Sequence, residues 1–67
     1  MKLWIARNRF GDLLLYDNKP KVNKVTCEIT SIGVFYNINN NLFPEITFEN
    51  SPQQVEIKLI ENKYEWR

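Results

Sequence analysis

Residues 2–16 read KLWIARNRFGDLLLY, and their pattern decides the fold. Side chains of a strand alternate between its two faces. In Lys2–Arg7 this puts Leu3 and Ile5 on one side and Trp4 and Ala6 on the other. In Leu13–Tyr16 it sets Leu13 and Leu15 against Leu14 and Tyr16. Between them, Asn8-Arg9-Phe10-Gly11-Asp12 reads as a hairpin loop, with Gly11 free to take positive φ. A hairpin with one face in water alternates apolar with polar residues. This one is apolar on both faces, so it is expected to be central in its sheet and covered on both sides. In so short a chain, a second subunit is one source of the second cover.

Outward from the hairpin, Asp17-Asn18-Lys19-Pro20 has the composition of a turn. Val22–Thr30 is expected to be extended, with Val25, Cys27 and Ile29 on one face and Thr26, Glu28 and Thr30 on the other. Gly33 marks a bend or bulge before a strand at Val34–Ile38. The asparagine cluster at 37–41 is a loop, and Leu42-Phe43-Pro44 leads into an alternating segment at Glu45–Glu49. Ser51-Pro52-Gln53-Gln54 carries a capping-box pattern with proline at the first helical position. Yet Val55, Ile57 and Leu59 alternate with Glu56 and Lys58 at period two, which favours a strand. The tail Glu61–Arg67 is polar apart from Tyr64 and Trp66, and frays, forms a helical turn or docks its aromatics.

Composition agrees with strands. Ile, Val, Thr, Phe, Tyr and Trp make 23 of the 67 residues, and alanine occurs once. β-branched and aromatic side chains suit a pleated surface and lose rotamer freedom in helices. The expected fold is one all-β domain over residues 1–67, with five or six short antiparallel strands in a meander or small barrel. A short C-terminal helix is the open alternative.

A domain of this length sits near the lower limit of a stable core. Disulfides, a metal or a partner chain usually reinforce such domains. Cys27 is the single cysteine, so no internal disulfide forms, and there is no histidine. Zinc held by one cysteine and carboxylates would be unusual. No metal and no cofactor are therefore expected, leaving close packing or self-association. The longest apolar stretches, Leu13–Tyr16 and Ile32–Tyr36, are too short to span a bilayer. The lone thiol and the missing apolar leader point to the cytoplasm. No asparagine lies in a glycosylation sequon.

Lys2–Arg7, Leu13–Tyr16, Lys19-Pro20, Phe43–Glu49 and Val55-Glu56-Ile57 resemble segments of a group of small proteins from Bacteroides-type bacteria and their prophages or mobile elements. The resemblance covers about half of the chain. It implies a bacterial cytoplasmic setting and transfers no activity and no functional residue.

Residue chemistry argues against an enzyme. Without histidine, the commonest general base at neutral pH is gone, together with Ser-His and Cys-His pairs. Cys27, between Val25 and Ile29, reads as a small buried hydrophobe rather than a thiolate. Glu45, Glu49 and Glu56 have no spacing that requires a shared cleft. Two glycines in total leave little for a phosphate-binding loop. No catalytic residue and no small-molecule substrate are indicated.

Binding remains. Cations outnumber anions in residues 1–27, and glutamates predominate after them. Lys19, Lys21 and Lys24 lie within six residues, with Arg7 and Arg9 near the first hairpin's other end. Such cations, with aromatics that stack on bases, suit a single-stranded nucleic acid. Phe10, at a hairpin tip between Arg9 and Gly11, is the sharpest candidate for an exposed anchor. The preferred expectation is a non-enzymatic interaction or self-assembling module, a homodimer through the face of Trp4, Leu14 and Tyr16, with Phe10 as a further contact. The alternative is a β-module binding single-stranded nucleic acid through Arg7, Arg9, Lys19, Lys21 and Lys24.

Overall fold

A computed structural model describes residues 2–57. It contains β1 (Lys2–Arg7), β2 (Leu13–Tyr16), β3 (Lys21–Asn23), β4 (Glu28–Thr30), β5 (Phe35–Ile38) and β6 (Gln53–Glu56). β1, β2, β5 and β6 form an antiparallel sheet in the order β5-β2-β1-β6, and β3 pairs with β4 in a separate hairpin. The all-β, antiparallel class read from the sequence is the class observed. The helix that the capping-box pattern at Ser51–Gln54 offered does not start there, because Gln53–Glu56 is a strand, and a helical turn over 61–67 lies outside the described residues.

The doubly apolar hairpin is central, as its pattern requires. Trp4 stands opposite Tyr16 and Ile5 opposite Leu15, so the two faces are those the alternation assigns. Its loop closes on Asn8, whose Oδ1 accepts the backbone N–H groups of Phe10 and Asp12. Gly11 has φ 92°, a region that side-chain-bearing residues rarely adopt.

On one face, buried Ile5 and Leu13 pack with Ile46, flanked by Leu15, Ile38 and Val55. On the other, Ala6, Leu14 and Tyr16 are buried, with Trp4 and Ile29 against them. Ile29 belongs to β4, so the β3–β4 hairpin lies over the face assigned above to a second subunit. Leu14 and Tyr16 are only 8% and 5% exposed within one chain. Burying an aliphatic side chain of this size contributes about 1.5–3 kcal/mol, and the chain obtains that internally. Leu14→Glu would therefore place a charge in the protein's own core rather than at a subunit boundary.

Two segments expected to be extended are not continuous strands. Val22–Thr30 is broken by a turn at 24–27, where the Asn23 side chain accepts the N–H groups of Val25 and Thr26. Cys27, at φ 65°, donates its N–H to the Asn23 carbonyl. The turn reverses the chain, leaving Val25 91% exposed and Cys27 half-buried rather than in the core. Glu45–Glu49 is also not a strand. Thr47 and Asn50 exchange backbone-to-side-chain hydrogen bonds, and Asn50 Nδ2 donates to the Glu45 carbonyl. These local bonds compete with a β-ladder. Ile46 alone turns inward, 5% exposed, as a plug under β1 and β2.

Burial pushes the Tyr16 phenol above its usual 10. The unfolded chain then loses this proton at lower pH than the folded one, so Tyr16's contribution is full below about pH 10 and falls as pH rises toward the raised value. Urea unfolding at pH 9 and 11 should show a loss of stability that is smaller in Tyr16→Phe. An equal loss in both proteins would place the alkaline sensitivity elsewhere.

Candidate protein-interaction surface

The five cations considered for nucleic acid separate into two kinds. Arg7 donates through Nε to the Ile46 carbonyl at 2.6 Å, through Nη1 to Gly11 and Asn40, and through Nη2 to Leu42 and Phe43. That uses all five donors of the guanidinium, each on a backbone carbonyl. Lys24 Nζ donates to the carbonyls of Phe48 at 2.6 Å, Glu49 at 2.9 Å and Ser51 at 3.5 Å, and lies 4.6 Å from the Phe48 ring centre. These two cations hold the irregular segment between β5 and β6 and satisfy carbonyls that no ladder takes. They are fastenings of the fold.

Arg9 lies over the Phe10 ring at 4.8 Å and Lys19 over Trp4 at 5.2 Å. Lys21 is exposed on β3. With Arg7 and Lys24 engaged, the described residues retain three of the five cations for a phosphate backbone.

Of the four residues expected at a protein interface, Leu14 and Tyr16 are buried and Trp4 is half-buried. Phe10 is 74% exposed at the hairpin tip, as its position suggests. A larger exposed apolar group lies on and before β5, namely Ile32, Val34, Phe35 and Tyr36, and Phe10 lines one cavity with Phe35.

β5 is an edge of the four-stranded sheet, paired with β2 on one side. Asp17 N–H donates to the Val34 carbonyl at 3.2 Å, and Val34 N–H donates to Asp17 Oδ1 at 3.0 Å. Val34 therefore directs its backbone groups toward β2. In an antiparallel ladder this direction alternates residue by residue, so Tyr36 and Ile38 also face β2. Phe35 and Asn37 direct their N–H and C=O groups to the open side.

Natural sheets protect such edges with lysines, prolines, bulges or a covering element. The chain has no charged residue from Ile29 to Pro44, and no proline before Pro44 in that run. Reading the sequence for strands located this element but missed its position at the edge.

The side chains beside the edge add an apolar surface. Ile38, Leu15 and Val55 are half-buried around Ile5 and Ile46, and with Leu42 and Phe43 they line a groove of about 540 Å³. Leu42 and Phe43 are each about half exposed. Glu45 and Glu56 also line this groove.

Among the described residues, no three His, Cys, Asp or Glu side chains gather where a metal could be held, and no helix is long and apolar enough to cross a membrane. In comparisons with protein-family models, curated proteins and solved structures, no match to the chain was found.

Proposed function

We propose that this chain is a non-enzymatic protein-interaction module that acts in the cytoplasm and takes an extended strand of its partner along β5. The observation that carries this reading is the open, uncharged edge itself. The backbone groups of Phe35 and Asn37 face outward, and exposed Ile32, Val34, Phe35 and Tyr36 flank them. Strand addition draws affinity from main-chain hydrogen bonds and specificity from side chains on alternating faces. Ile38 lines the groove beneath the sheet and Tyr36 stands opposite Leu15 on the same face, while Phe35 leads to Tyr16, 5.9 Å away between ring centres. The nucleic-acid alternative has weaker support, because Arg7 and Lys24 are bound to carbonyls.

The test is paired affinity capture from bacterial lysate, with the wild-type chain and Asn37→Pro as baits. The proline removes an N–H from the open side only. Proteins, including a differently tagged copy of the chain, should be retained by the wild type and lost by the variant. Identical capture by both baits, or capture by neither, would remove the reading.

A further inference from the structure

We infer that the strand received by β5 is the β5 of a second copy, paired antiparallel about a two-fold axis through Tyr36. This rests on the edge reading above and names its occupant. One feature favours a copy of the chain. A two-fold contact sets a surface against itself, so charges near the axis meet their own kind. From Ile29 to Pro44 there are none to meet. Parity then limits the register of such a pairing.

Residues directly opposite in a continuous sheet share a face, so self-pairing requires partners whose numbers are both even or both odd. The register through Tyr36 meets this condition. Val34 faces Ile38 of the second copy, Tyr36 faces Tyr36, and Ile38 faces Val34. All of these side chains share the sheet face that carries Leu15, which stands opposite Tyr36 on β2. An apolar row thus continues from one copy's groove to the other's, and aromatic and β-branched cross-strand pairs are favourable ones.

The hydrogen bonds agree with the same register. Phe35 and Asn37 have the outward backbone groups, and each lies opposite the other residue in the second copy. They exchange N–H and C=O groups in two closely spaced pairs. Tyr36, facing itself, forms the wide pair between them. The two four-stranded sheets become one of eight strands. A single β-strand seam is a small interface, so association in the micromolar range is expected.

The register gives a direct test. In a non-hydrogen-bonded antiparallel pair the Cα atoms are about 4.5 Å apart, within the span of a disulfide. With Cys27→Ser as background, Tyr36→Cys should form a covalent dimer on mild oxidation. Val34→Cys should not, because its counterpart in the second copy is two positions beyond the axis on the far side. Sedimentation equilibrium of the wild type should show a concentration-dependent dimer, weakened at least ~10-fold by Asn37→Pro, since each substitution enters a two-fold interface twice.

Cross-linking by Val34→Cys as efficient as by Tyr36→Cys would overturn the register. A strict monomer at high micromolar concentration would overturn the second copy. If that monomer still captured another protein in a manner lost in Asn37→Pro, the edge reading would stand without self-pairing. If it captured none, both would fall.

Discussion

Arg7→Lys is expected to destabilise the protein by about 2–4 kcal/mol in urea unfolding, although it conserves the charge. A lysine ammonium has three donors at one point and cannot reproduce the planar fork that reaches five carbonyls. Hydrogen bonds to charged groups contribute about 1.5–3 kcal/mol each and are not additive. The bonds to Asn40, Leu42 and Phe43 lie at the solvent boundary, which lowers the total. The substitution would release the segment that carries Ile46, which plugs one face of the core. A domain of this length has roughly 3–10 kcal/mol of total stability, so the loss is a large share of it. Arg9→Lys serves as the control. Arg9 is exposed and stacks on the exposed Phe10, and its replacement should cost less than about 0.5 kcal/mol. Equal effects from the two would show that the carbonyl cage around Arg7 does not hold the segment.

The second large effect separates the two sides of β5. Tyr36→Pro should cost about 2–4 kcal/mol, because it removes an N–H from the ladder with β2 and leaves a carbonyl there unpaired. Asn37→Pro removes an N–H that faces outward. Proline is tolerated on an edge strand in that orientation, so the cost should be within about 1 kcal/mol. Adjacent positions thus give unequal thermal stabilities, and the stable variant is the one deficient in association. If Asn37→Pro were as damaging as Tyr36→Pro, the alternation inferred from the Asp17–Val34 pair would be wrong.

Local pattern revealed the fold's centre. The doubly apolar hairpin, the Gly11 turn and the period-two segment at Val55 announced strands because each depends on neighbours in sequence. What the sequence concealed depends on distant residues or on backbone groups. Ile29 covers Leu14 and Tyr16 only after the Asn23 turn has folded β4 back, and nothing in the apolar alternation of Val25, Cys27 and Ile29 signalled that turn. The partners of the Arg7 guanidinium lie up to 39 residues away and are all carbonyls, which every residue carries. A cation serving the fold therefore looked like a cation available to a phosphate. The exposed edge was concealed for a related reason. Val34–Ile38 has the composition of any strand, and its position beside β2 rather than at the centre follows from the sheet order alone.

The most direct measurement is amide hydrogen exchange of the wild-type protein, residue by residue, at low and high micromolar concentration. Tyr36 and Ile38, bonded to β2, should be protected at both. Phe35 and Asn37 should exchange rapidly in the dilute sample and become protected in the concentrated one, as the second copy's edge takes their N–H groups. Rapid exchange of Phe35 and Asn37 at every concentration would contradict strand pairing at this edge. Protection already complete in a dilute monomer would contradict the open edge itself.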